Sequence, residues 1–307
     1  MKKKISILGS TGSIGLSTLK IIDKKIKFFK INILTANKNY LLICDQIIKY
    51  KPKFFVILNK KVYEKVKKKF KKKNNIKILH SFNQIKLKNK SDITISAIPG
   101  ISGLQPTILM TKISKKILIA NKESVICGWD LIKKNALKSN TELIPVDSEH
   151  FSIFYLLKNH KLKNIKKIFI TASGGPFLEY TKKQLKKIKP KDALKHPKWR
   201  MGKKISVDSS TLMNKMFELI EAQKLFDIPD KKLEVLIHPE SLVHAIIMFK
   251  NGLSKFLYHE TSMIIPIANA IFNENIHIDE LITFKKQTTI FIEQYSKLTP
   301  ILITKEN

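Results

Sequence analysis

The chain has 307 residues, 58 Lys and Arg against 24 Asp and Glu, a formal net charge of +34 and a hydrophobic fraction of 43%. That length exceeds the usual single core and predicts two domains, and the hydrophobic content excludes a disordered chain. The charge invites nucleic acid, but Arg200 is the sole arginine, and proteins that read phosphates and bases lean on the bidentate arginine fork, so a basic nucleic-acid-binding protein is the lesser reading.

In chain order, Lys3 to Leu8 predicts a short strand. Its apolar run stops at Gly9, too soon for a secretory leader. Gly9-Ser10-Thr11-Gly12-Ser13-Ile14-Gly15 follows, and then Leu16, Leu19, Ile22 and Ile26 recur at helical spacing. Strand, glycine turn and helix suit a dinucleotide: glycines let the backbone approach a pyrophosphate, and the first N–H groups of the helix face that anion. Lys30 to Ala36 predicts a second strand, ending at Asn37, Lys38 and Asn39 where an NAD site would place an acid on the ribose. With no carboxylate there and Lys38 available for a 2′-phosphate, NADPH is favoured over NADH.

Phe54 to Leu58 predicts a strand and Lys61 to Lys73 a helix whose Val62, Val66 and Phe70 form an apolar stripe, leaving its lysines as a solvated face. Ile93 to Ile98 and Lys116 to Ala120 supply further strands, so strands alternate with helices as in a doubly wound sheet whose ligands bind beyond the carboxyl ends of the strands. Ile93 to Thr111 is uncharged, yet Pro99, Gly100, Gly103 and Pro106 make it strand, turn and helix start, so no membrane partner is expected. Cys44 and Cys127, each among apolar neighbours, are expected to be buried thiols in a reducing, cytoplasmic setting.

Leu143-Ile144 predicts the end of a buried strand running into Pro145-Val146-Asp147-Ser148-Glu149-His150. If the backbone stays extended, Asp147 and Glu149 share a face and offer two hard oxygen ligands to Mg²⁺ or Mn²⁺. Ile165 to Thr171 predicts a strand leading to the small-residue turn Ala172 to Phe177, suited to an anion. Lys189 to Lys203, with Pro190, Pro197 and Trp199, is expected to be a mobile loop that could close over a ligand. Ser206 to Thr211 is read as the serine-rich start of a helix in which Met213, Met216, Phe217 and Ile220 make the apolar face, with Asn214, Lys215, Glu218 and Glu221 opposite.

GSTGSIG at 9 to 15, ANKES at 120 to 124, PVDSEH at 145 to 150, SGGPF at 173 to 177, HPKWRMGKKISVDSSTLMNK at 196 to 215 and LIHPESLVH at 236 to 244 resemble the 1-deoxy-D-xylulose 5-phosphate reductoisomerase family, in order and over nearly the whole chain. The resemblance implies an NADPH- and divalent-metal-dependent enzyme that isomerises and reduces 1-deoxy-D-xylulose 5-phosphate to 2-C-methyl-D-erythritol 4-phosphate. The expected form is a cytoplasmic homodimer. It implies an α/β fold: a Rossmann-like domain over 1–146, an α+β catalytic domain over 147–275, and a residual segment over 276–307 where the family's C-terminal helical bundle is absent or truncated. A truncated chain of this kind is expected to keep its ligands but to be less stable, with apolar surface open from Leu281 to Ile303.

By the same resemblance Asp147, Glu149 and Glu218 are the metal ligands. Thr11, Gly12, Ser13, Ile14, Asn37, Lys38, Asn39, Asn121, Glu123 and Gly202 contact NADPH. Lys122, Ser148, Glu149, Ser173, His196, Ser209, Asn214, Lys215 and Glu218 hold the sugar phosphate, with Lys122 and His196 joining the three carboxylates as catalytic residues and His150 and His244 as further proton-handling candidates. Asn37 where the family commonly has Gly, Met216 in its Asn-Lys-Met-Phe-Glu stretch, and no basic residue just before Pro266 are departures. A relative that binds ligands without turnover is the other alternative.

Overall fold

The computed structural model describes residues 2–71, 75–85, 90–194, 203–283 and 299–300. Two compact units result, one formed by 1–146 with 266–282 and the other by 147–265 with 283–307. Residues 266–282 thus return to the first unit, where the sequence reading ran the second domain on to 275.

The first unit alternates β1 (Lys3–Leu8), α1 (Ser13–Lys24), β2 (Phe29–Ala36), α2 (Tyr40–Tyr50), β3 (Phe54–Ile57), α3 (Lys60–Lys69), β4 (Lys77–Leu79), β5 (Ser91–Ser96), α4 (Leu104–Thr111), β6 (Ser114–Ile119), α5 (Lys122–Ser139) and β7 (Glu142–Pro145). All seven strands are parallel, in the order β4-β3-β2-β1-β5-β6-β7. A parallel sheet covered on both faces needs near-continuous apolar strands, and Ile5, Ile7, Leu8, Ile33, Leu34, Phe55 and Ile95 are completely buried. The strand order reverses at β1, between β2 and β5, so the switch point lies at Gly9. On α3 only Val66 is buried, and its lysines form a solvated face as the periodicity predicts. Cys44 is buried, but Cys127 is exposed: its apolar sequence neighbours Val125 and Trp129 sit on other sides of α5.

The second unit contains α6 (Ser148–Leu157), β8 (Ile165–Ala172), α7 (Lys182–Leu185), α8 (Lys203–Ser210), α9 (Met213–Phe226), β9 (Leu233–Ile237), β10 (Val243–Phe249) and β11 (Ser254–Tyr258). The chain then enters α10 (Ile264–Phe272), whose Ile267, Ala268 and Ile271 are buried and whose Phe272 meets Phe29 edge-on at 5.6 Å in the first unit. A mixed five-stranded sheet runs β11-β10-β8-β9, with Thr299–Pro300 on its far edge as β12. Ile153 and Leu156 of α6, Ile168 and Ile170 of β8, Ala222 of α9 and Ile247 of β10 close one core over it.

Two local expectations fail. The strand before Asp147 ends at Pro145, and Asp147 is the N-cap of α6, its carboxylate accepting from the His150 backbone N–H at 2.8 Å. Asp147 and Glu149 therefore do not share a strand face; a capping aspartate ended the extended backbone. Ser206 to Ser210 is likewise helical already, as the body of α8, rather than the start of the next helix. The loop centred on Trp199 lies at residues 195–202, outside the described residues, and so does most of the closing apolar segment.

Candidate active site

In the first unit, Gly9 has φ +82°, and a Cβ there would sit 2.6 Å from the Ala97 carbonyl oxygen, so this turn requires glycine. A Cβ on Gly15 would sit 2.6 Å from Ser10 Cα, which fixes how closely α1 packs on the turn. The Ser10 N–H donates to the Thr35 carbonyl at 2.8 Å, and the Gly9 N–H to the Thr35 hydroxyl at 2.9 Å, pinning the turn to β2. Gly12 is the N-cap of α1 and brings no side-chain cap, leaving the first N–H groups, at Ser13 and Ile14, for an anion. Thr11 is half-buried beside them.

Asn37, Lys38 and Asn39 stand exposed just past β2, with Asn39 capping α2 by accepting from the Leu42 N–H. The first-turn residues of α5, Lys122 and Glu123, follow Asn121 at the end of β6. The Asn121 side chain is committed to the fold. Its Oδ1 accepts from the Ser124 N–H at 2.8 Å, and its Nδ2 donates to the carbonyls of Ile98 and Gly100.

The second unit holds a charged cluster, and α9 carries it in an unexpected orientation. Met213 and Met216 are 46% and 41% exposed, whereas Lys215, Glu218 and Glu221 are 7%, 3% and 1% exposed. The helix buries its charged face. Burying charges is costly unless they are paired, and here they are. Lys215 Nζ donates to Glu149 Oε1 at 2.9 Å and pairs with Glu218. Glu149 also accepts from the Ser148 hydroxyl, and Glu218 from Asn214 Nδ2.

His150 sits wholly buried behind them, Nδ1 2.8 Å from both Asp147 oxygens and 3.5 Å from Glu221 Oε2, and Nε2 2.9 Å from the Glu218 carbonyl oxygen. Burial alone would lower its pKa, but Asp147, Glu221 and Glu218 together raise it to about 10. For Asp147 burial pushes the pKa upward and His150 more than reverses it; for Glu149 burial is opposed in the same way by Lys215, so both carboxyls lie below their ordinary values.

Four carboxylates (Asp147, Glu149, Glu218, Glu221) and two cations (His150, Lys215) leave a formal charge of 2 − 4 = −2 in a largely buried cluster. Hard oxygens with that residual charge fit a divalent Mg²⁺ or Mn²⁺. Ligand atoms of Asp147, His150 and Glu221 also lie within 4.8 Å of one another. His150 is a poor ligand, however. A carbonyl oxygen can only accept, so Nε2 carries a proton, and Nδ1 faces only carboxylates. Asp147, Glu149 and Glu218 are then the carboxylates with oxygens to offer a metal.

Beside the cluster, Gly175 (φ +73°) packs so closely that a Cβ would lie 2.7 Å from the Ser209 carbonyl oxygen, bringing the Ser173 turn against the end of α8. Ser173 and Ser209 therefore meet, as the sequence reading expects; His196 and Gly202 lie outside the described residues. His244 stacks on His259, ring centroids 3.8 Å apart, and donates from Nε2 to the His259 carbonyl at 3.1 Å. Burial, with His259 and Lys215 nearby, holds His244 well below the ordinary histidine value, so this pair is neutral. Glu221 and His259 carry no role in the sequence reading. Glu221 was visible only as the i+3 companion of Glu218, and nothing local marks His259.

Comparison with known proteins gives one answer. The family model for 1-deoxy-D-xylulose 5-phosphate reductoisomerase matches residues 5–128, and that for the C-terminal domain of the same enzyme matches 143–226. The Pelagibacter ubique protein of that name is 51% identical over 274 residues, covering 88% of this chain and 70% of its own length. The Clostridium acetobutylicum protein is 41% identical over 88% of this chain and 71% of its own. A crystal structure of DOX-P reductoisomerase with NADPH, fosmidomycin and magnesium superposes with TM-score 0.83 at 34% identity, covering 90% of this chain and 71% of that one. The Zymomonas mobilis reductoisomerase with NADPH gives 0.81 at 32% identity, over 90% and 72%.

Proposed function

The chain belongs to the 1-deoxy-D-xylulose 5-phosphate reductoisomerase family, and we propose that it converts 1-deoxy-D-xylulose 5-phosphate to 2-C-methyl-D-erythritol 4-phosphate, an early step of isoprenoid precursor synthesis, with NADPH and a divalent metal. The observation that carries this reading is the buried acid cluster of formal charge −2 on the inward face of α9, in a chain whose relatives bind NADPH and magnesium. When bound, the metal supplies Lewis acidity at the ketone and its neighbouring hydroxyl, and NADPH supplies the hydride.

Asp147, Glu149 and Glu218 hold the metal, Mg²⁺ or Mn²⁺. Lys215, Asn214, Ser209 and Ser173 bind the phosphate end of the substrate, with Ser148, Lys122 and His196 orienting the remainder. Lys122 and His196 are the proton-handling candidates. Thr11 to Ile14 hold the pyrophosphate of NADPH, Asn37, Lys38 and Asn39 its 2′-phosphate ribose, and Asn121, Glu123 and Gly202 its remainder. We also propose a homodimer. Ser254–Tyr258 is an edge strand exposed along most of its length, with Leu253, Phe256 and Tyr258 open beside it, and such an edge invites pairing with a second copy. A cytoplasmic location accords with the two free cysteines; among the described residues no helix is long and apolar enough to cross a membrane.

The test is NADPH consumption with 1-deoxy-D-xylulose 5-phosphate and Mn²⁺. Turnover that vanishes in Glu218→Gln while NADPH binding persists, and a weaker titration with NADH, support the assignment. Full metal-dependent turnover in Glu218→Gln would remove Glu218 from the ligand set, and no turnover by the wild-type chain would leave it a binding relative.

A further inference from the structure

Glu221 is among the most buried ionisable groups of the described chain, yet the residues proposed to touch metal, substrate or NADPH do not include it. It stands one helical turn beyond Glu218, on the same inward face of α9, with Oε2 3.5 Å from His150 Nδ1. His150 in turn joins two backbones: Nδ1 reaches the Asp147 carboxylate at the start of α6, and Nε2 donates to the Glu218 carbonyl on α9. Every partner of the ring is an acceptor, so both nitrogens carry protons, and a ring in that form needs more negative charge than Asp147 alone can give without turning its oxygens from the metal.

We propose that Glu221 is a positioning residue of the metal site: it holds His150 as a two-proton clamp between Asp147 and the Glu218 carbonyl, setting the separation of the carboxylates that take the metal. The proposal rests on the metal reading above. Acids and histidines that orient ligating carboxylates commonly change metal affinity by about 10–100-fold when removed. The Glu221 carboxylate acts here through the ring and not as a ligand, since the three carboxylates nearer Lys215 already supply the donor oxygens.

The experiment is direct Mn²⁺ binding, followed by electron paramagnetic resonance of free Mn²⁺, to wild type, Glu221→Gln, His150→Gln and the double variant, with NADPH affinity and melting temperature measured alongside. Glu221→Gln is expected to weaken Mn²⁺ binding by about 10–100-fold with NADPH affinity unchanged. In the His150→Gln background the same substitution should add less than about threefold, because residues that act through one another are non-additive. Unchanged Mn²⁺ affinity in Glu221→Gln, or an equal loss in both backgrounds, overturns the proposal; the second result would make Glu221 a direct ligand. If Glu221→Gln does not fold, Glu221→Asp keeps the charge but withdraws it from the ring, and normal Mn²⁺ affinity there overturns the proposal equally. Wild-type protein that binds no Mn²⁺ sinks the metal reading and this one together, whereas normal wild-type binding with an unaltered Glu221→Gln sinks this one alone.

Discussion

Lys215→Met tests the acid cluster through stability, without any substrate. The ammonium lies 2.9 Å from Glu149 Oε1, pairs with Glu218, and has a side chain only 8% exposed. Unit charges at 2.9 Å in an effective dielectric of about 20 attract by about 6 kcal/mol, much of it offset by desolvation. Removing one partner of such a buried pair costs about 3–5 kcal/mol, because the other charge is left uncompensated. Here the cluster's formal charge moves from −2 to −3, with Glu149 and Glu218 both left facing a methyl group. Against a typical domain stability of about 5–15 kcal/mol, the urea midpoint in chelator should fall steeply. Mn²⁺ should then restore much of the loss, since a ligand at about 100 times its Kd adds about 2.7 kcal/mol to the folded state. Circular dichroism in urea, with chelator and with Mn²⁺, measures both quantities. A variant as stable as wild type in chelator, or Mn²⁺ raising both midpoints equally, would refute the idea that Lys215 neutralises a metal-binding carboxylate pair.

Gly15→Ala would drive a methyl group into the backbone of Ser10; a loss of about 1–3 kcal/mol in stability and a weaker NADPH titration are expected, and normal NADPH affinity would remove this turn from the cofactor site. A pH dependence follows from His150, whose folded pKa is raised to about 10. Its stabilising contribution is complete below the unfolded value near 6.5 and is lost as pH rises through about 10. Asp147 and Glu149, with lowered pKa values, contribute stability above their unfolded values that is lost as pH falls through the folded ones. Urea midpoints of wild type and His150→Gln should therefore converge between pH 7 and about pH 10; parallel curves would mean the imidazolium is absent.

The sequence by itself determined what depends on neighbours along the chain. Ile5 to Leu8 running into Gly9 is strand and turn in any context, because only glycine tolerates φ +82° there beneath the Ala97 carbonyl. The parallel sheet follows from strands too apolar to face water on either side. The side chains of α9 were correctly sorted into two faces, since a period of 3.6 residues fixes which side chains stand together. Which face goes inward is another matter. Periodicity favours burying Met213 and Met216, and the structure buries Lys215, Glu218 and Glu221 because His150 and Glu149, 65 or more residues earlier in the chain, arrive with compensating charge and hydrogen bonds. The same distance explains Asp147. Its neighbours Leu143 and Ile144 suggest a continuing strand, but capping α6 and clamping His150 are satisfied only once α6 packs on α9. Local pattern specified the elements and the motifs, whereas the charge balance that makes the cluster a metal site exists only where α6 and α9 meet.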